Sequence, residues 1–177
     1  MNEQFQTSLK ASKWGLILIL LTLIYGYGLG GYFGLKEGDI KSGLHMSAMA
    51  HLDDAYGGDM EKLKKITSKS WSYIKRAHFH ANGIGTTAAV LALFLLCIKT
   101  SDRNRQIAIL LLGIGGLGYS ICWQLAGELA PSLGSTGAAK AHYALIARPT
   151  AAMALLGVVF SSFLIIQSAF SSDEEGK

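Results

Sequence analysis

Charge is scarce in this chain. Of its 177 residues only 16% are Asp, Glu, Lys or Arg, against 50% apolar, a balance far from soluble averages and close to that of a small integral membrane protein. Cysteine occurs twice, at Cys97 and Cys122, each inside an apolar run where a thiol behaves as a small buried hydrophobe. With no Cys-x-x-Cys pair there is no redox or zinc signature. No interleaved basic and aromatic patch argues for RNA or DNA as the partner of the net charge of +4. The lysines and arginines stand instead at the ends of apolar segments, as they do at a membrane surface. There is no Ser-His-Asp or Cys-His arrangement, no phosphate loop and no internal repeat. Gly113-Ile-Gly-Gly-Leu-Gly118 has glycines spaced as in a dinucleotide fingerprint but lacks the strand that must precede one, and reads as a close-packing surface.

What the chain does have is long uncharged runs. Trp14 to about Phe33 carries no charge and supplies the roughly twenty residues a bilayer requires. Lys10 and Lys13 before a leucine-rich core give it something of a signal peptide, but Gly and Tyr follow where an A-x-A-like site would stand, so it is read as a first span. Three further spans are expected at about 78–98, 106–127 and 143–167, which makes an all-α, four-span transmembrane bundle occupying 1–177 as a single membrane domain. The 35–77 connection is patterned. Leu44, Ala48, His51, Leu52 and Ala55 recur at helical spacing, giving a short amphipathic helix over 40–55, which Gly57-Gly58 ends. Asp59 then caps a second amphipathic helix, with Leu63, Ile66, Trp71 and Ile74 inward and Lys62, Lys64, Lys65 and Lys69 outward, positioned to run directly into the second span. Lys99 to Arg105 reads as a tight basic turn, Glu128 to His142 as turn chemistry around Pro131 and Gly134, and Ser171 to Lys177 as an acidic tail.

Four spans alternate, so all five histidines, His45, His51, His78, His80 and His142, fall on one side of the membrane. Histidine at a membrane boundary is costly unless it binds a ligand, relays protons or anchors to headgroups. His78 and His80 are two residues apart, so on a helix they point in nearly opposite directions and only one can serve a given small site. His80 shares a stripe with Gly83 and Thr87, His78 with Asn82 and Gly85, and either is small enough for a flat macrocycle to lie against. With His142 across the bundle as second axial ligand and Arg76 and Arg148 on the propionates, these residues would hold haem b. Arg148, beside Pro149 inside the fourth span, needs a partner, either a propionate or Glu128.

Arg76-x-His78-x-His80 at the opening of a glycine- and alanine-rich span resembles the helix openings that carry low-spin haem ligands in membrane b-type cytochromes and in subunit I of the haem-copper oxidases. The resemblance covers one span of four and implies an axial-ligand role for His78 or His80. Those oxidases have more helices and a copper-binding histidine trio that this chain lacks, so oxygen reduction is not implied.

A competing metal site lies in Gly43 to Asp54, where His45 and His51, with Met46, Met49, Asp53 and Asp54, mix donors suited to copper or zinc. His45 and His51 are six apart and rotated, so each would need another partner; the bland reading is two core methionines and a solvated acidic end. Tyr119, Ser120, Trp123 and Gln124 are placed either to line a quinone pocket or to form an aromatic belt. The expected function is electron transfer by one or two b haems, linked to quinone or within a larger redox complex. The alternatives are a cofactor-free subunit stabilising a larger membrane assembly or a homo-oligomer, and a copper- or zinc-binding membrane protein. The expected location is a bacterial inner membrane, with the amino terminus cytoplasmic on account of Lys10, Lys13 and the Lys99 to Arg105 turn.

Overall fold

The computed structural model describes residues 3–171, so all but the first residue of the acidic tail lies outside the described residues. These residues form α1 (Glu3–Ala11), α2 (Lys13–Met49), α3 (Leu52–Tyr56), α4 (Met60–Cys97), α5 (Asp102–Leu129), α6 (Thr136–His142) and α7 (Ala144–Ser171), with no strand among them. α2, α4, α5 and α7 are each long and apolar enough to cross a membrane, which makes the chain an all-α, four-span integral membrane protein. Their outer faces suit lipid: Leu20, Ile24 and Tyr27 on α2 and Leu155, Val159 and Phe163 on α7 are all exposed large apolar side chains.

α5 is the central helix because glycines let its backbone be approached from every side. A methyl group at Gly113 would sit 2.7 Å from Leu18 Cβ of α2, and one at Gly115 would overlap the Ala154 backbone of α7. One at Gly127 would meet the Ser70 carbonyl of α4 at 2.9 Å. In lipid, where apolar side chains gain little by leaving the solvent, such close packing carries much of helix association. The glycine run that imitates a nucleotide fingerprint is therefore the packing surface of the hub.

Two helices outrun the bilayer. At 1.5 Å per residue the 38 residues of α4 extend about 57 Å, against a hydrocarbon core of about 30 Å. As expected, Asp59 caps it, its Oδ1 accepting the Glu61 and Lys62 amides at 2.9 Å each, and it enters the span without a break. α2 departs from expectation. The first span and the amphipathic stretch after it are one 37-residue helix, bent at Lys36 (φ −131°, ψ 17°) between Gly34 and Gly38, and the helix ends at Met49 instead of running on to Ala55. The halves of α2 and α4 beyond the membrane pair as a helical hairpin, burying Leu44, Ala48, Leu63, Trp71 and Ile74, with α3 and the left-handed Gly57 and Gly58 as its tip.

Two connections carry more structure than turn composition implies. The Ser135 hydroxyl accepts the Ala138 amide at 3.1 Å and starts α6, so His142 closes that short helix and does not head the fourth span. Gly134 precedes it at φ +55°, where a methyl group would lie 2.5 Å from the Ala55 carbonyl oxygen; the turn thus packs against α3. There the buried Tyr56 hydroxyl donates to Pro131 O at 2.6 Å. At the opposite end of the bundle Arg105 belongs to no solvated basic turn. It is 1% exposed, donating to Leu95 O at 2.8 Å and to Ile98 O and Thr100 O at 3.2 Å, and it pairs with Asp102. These bonds satisfy carbonyls that the end of α4 leaves open.

Candidate functional site

The two flanks of α4 differ in what they hold. On the α2 flank, His78 Nδ1 donates to Gly26 O at 2.7 Å, and its ring lies edge-on to Phe33 at 5.9 Å. Gly30 makes room for it, since a methyl group there would fall 2.7 Å from His78 Cε1. Gly85, two turns along, is filled by Leu23, which would stand 3.0 Å from an added methyl. The stripe of His78, Asn82 and Gly85 is thus a helix-packing seam with no space for a ring. Asn82 Oδ1 is buried in that seam without a hydrogen bond.

The α5 and α7 flank is open. Tyr73, Arg76, His80, Gly83 and Thr87 follow one another at helical spacing down α4. Tyr119 and Trp123, one turn apart on α5, meet them. The His80 ring lies 5.1 Å from Tyr119 and 5.8 Å from Trp123, and the Arg76 guanidinium sits over Trp123 at 5.0 Å and Tyr73 at 5.2 Å. His80 has no hydrogen-bond partner among the described residues, in contrast to His78. A cavity of about 360 Å³ lies against it, walled by Gly83, Thr87, Tyr119, Ala151 and Ala154. An added methyl at Gly83 would touch nothing.

Tyr119 also borders a second cavity of about 420 Å³, between α5, α6 and α7, lined by Trp123, Lys140, Tyr143, Ala144, Ala147 and Arg148. Together the two form a lateral groove that is apolar along the span and cationic where the α6 end of the bundle closes over it. Trp123 Nε1 is buried there without a hydrogen bond. Arg148 has an exposed side chain on the groove wall and makes no ion pair with Glu128, whose Oε1 is held instead by Gln124 Nε2 at 2.7 Å.

The other sequence-derived candidates do not converge on this groove. His142 is exposed at the end of α6, in an edge contact with Tyr143 at 4.9 Å, and borders neither cavity. His45 is exposed beside Lys41, Lys64 and Trp71 on the hairpin, and His51 is half-buried at the α2–α3 junction. Met46 and Met49 are exposed side chains, not core. Among the described residues no three His, Cys, Asp or Glu side chains gather as a metal site. Of the four polar residues read on α5, Tyr119 and Trp123 line the groove. Ser120 is turned back onto Gly116 O at 2.7 Å, and Gln124 faces α2.

Lys140 and Tyr143 line the groove and Tyr73 packs behind it on Trp123, although the sequence did not single them out. Tyr73 could have been found from its spacing to Arg76 and His80; Lys140 had no such signal. No protein-family model matches this chain, and neither a curated protein nor a solved structure does.

Proposed function

We propose that this protein is an electron-transfer protein of the membrane, alone or as a subunit of a larger redox complex, whose His80 groove holds a redox-active ligand. The observation that carries the reading is His80 itself: an imidazole with no hydrogen-bond partner among the described residues, set at the membrane boundary against two adjoining cavities, one apolar and one with Lys140 and Arg148 on its wall. Haem b is the first candidate. His80 would ligate its iron, the open space at Gly83 would admit it, and Arg148 and Lys140 would pair with its carboxylates. Bound haem supplies reversible one-electron iron chemistry. His78 and His142 do not fit a bis-histidine site, because the first is enclosed in the α2 seam, with Gly30 against its ring and Leu23 filling the space at Gly85, and the second lies outside both cavities.

Quinone is a second reading, favoured by the run of Ile84, Ala151, Ala154, Leu155 and Val158 that continues the groove along the span. Such a wall suits an isoprenoid tail, with His80 and Tyr119 donating to a ring carbonyl. In either case the natural setting is a bacterial inner membrane with the amino terminus cytoplasmic, and the lipid-facing helices offer surfaces for partner subunits or a second copy.

A reduced-minus-oxidised absorption spectrum of the detergent-purified protein, with iron analysis and solvent extraction of the same sample, tests the proposal. A haem α-band with stoichiometric iron is the expected result. Extracted quinone without iron selects the second reading, and a flat spectrum with neither ligand overturns both.

A further inference from the structure

A different cavity, on the α2 face of the bundle, carries chemistry that the His80 groove does not use. The bend at Lys36 leaves a hollow of about 310 Å³ between α2, α4 and α5, walled by Tyr32, Phe33, Leu44 and Ile74 and bordered by Gln124 and Glu128. Glu128 is held by a chain reaching into the span. Tyr25 donates its hydroxyl proton to Gln124 Oε1, which orients the amide so that Nε2 donates to Glu128 Oε1 at 2.7 Å. Among the described residues the other carboxylate oxygen has no hydrogen bond and Glu128 has no ion pair. Among the described residues no lysine, arginine or histidine lines the hollow.

An exposed carboxylate, oriented by Gln124 and without an ion pair among the described residues, at the edge of a hollow walled by two aromatic rings and two aliphatic side chains, is complementary to one class of ligand. We propose that this hollow binds an organic ammonium with an apolar body, its cation at Glu128 and its apolar part against Phe33, Tyr32 and Ile74. Charge complementarity favours this occupant over an anion or a neutral lipid tail. Cations are attracted to aromatic faces, and do so most strongly where water is partly excluded. The Tyr25–Gln124 chain serves to hold the carboxylate in place. An ammonium of this kind can arrive as a free lipophilic amine or as the amine headgroup of a phospholipid.

The test uses the full-length protein in detergent, with tetraphenylphosphonium as a permanently charged probe and triphenylphosphine oxide as a neutral analogue, by isothermal titration. Saturable binding of the cation is expected, weakened about tenfold or more in Glu128→Gln, with no saturable binding of the neutral analogue. Ser47→Lys, which places an ammonium on the wall of the same hollow, is expected to block the probe while leaving the protein folded. Repeating the titration in nanodiscs distinguishes the sources. Competition by phosphatidylethanolamine but not phosphatidylglycerol assigns the site to a lipid amine, and binding indifferent to lipid assigns it to a free one. Equal affinity in wild type and Glu128→Gln, or unhindered binding to a folded Ser47→Lys protein, would overturn the proposal.

Discussion

His78 and His80 are separated by one residue and by the whole thickness of α4. His78 faces α2, where Gly26, Gly30 and Phe33 enclose it and a backbone carbonyl accepts its hydrogen bond; His80 faces α5 and α7, where the neighbouring backbones stand back and leave a groove. The same side chain is thus a packing element on one flank and a cavity-lining group on the other. The difference lies in the residue opposite. Glycine on the neighbouring helix lets that helix close on His78, whereas Tyr119 and Trp123 hold α5 away from the groove beside His80.

The contrast can be broken from either side, and the largest effect is expected where the packing is closest. Gly30→Leu forces a side chain into the space of the His78 ring, and overpacking of this kind costs about 1–3 kcal/mol or more. A clear drop in the thermal midpoint of the detergent-solubilised protein is the expected outcome. His78→Ala removes the bond to Gly26 O and leaves a void beside Phe33, for a loss of about 2 kcal/mol in the same assay.

Tyr56→Phe sharpens the comparison by loosening the turn that leads to α6, the far wall of the open groove. Losing the bond to Pro131 O should cost about 1 kcal/mol. The pH dependence has a definite sign. Burial pushes the Tyr56 phenol above its ordinary value, so the folded protein favours the neutral form. That contribution is complete below about pH 10, where a free phenol titrates, and is lost as pH rises through the raised value. The wild-type thermal midpoint should therefore fall on the alkaline side more steeply than that of Tyr56→Phe. The smallest effect on stability is expected for Gly83→Leu, within about 0.5 kcal/mol, because nothing opposes a side chain there. On the proposed function its consequence is loss of binding: the protein should fold and fail to retain the proposed redox ligand.

Much of this architecture is legible in the sequence because membrane constraints are coarse and periodic. Twenty uncharged residues announce a span, and the helical repeat alone places His78 and His80 on opposite flanks. The same repeat shows His80, Gly83 and Thr87 sharing a face. What could not be read depends on contacts between distant segments. That Gly85 is filled by Leu23 while Gly83 faces open space is decided by α2 and α7, not by α4. Arg105 looks like one more solvated charge in a basic turn until the end of α4 places three carbonyls around it. His142 looks like the first residue of a span, but Ser135 starts a separate short helix that carries it away from the groove. The chain from Tyr25 to Glu128 joins residues about a hundred positions apart, and neither end carries a local signal of the other. The bend at Lys36 was hidden for a different reason. The glycines around it announce a weak helix, and a weak helix can bend as readily as it can stop.

The most direct test of the account is the reduced-minus-oxidised spectrum, or the extracted quinone content, of His80→Ala compared with His78→Ala, both purified as folded protein. The account predicts that His80→Ala loses the bound redox ligand with little change in thermal midpoint, whereas His78→Ala keeps it in a less stable fold. Retention in His80→Ala together with loss in a folded His78→Ala would contradict it, placing the ligand on the flank described here as closed.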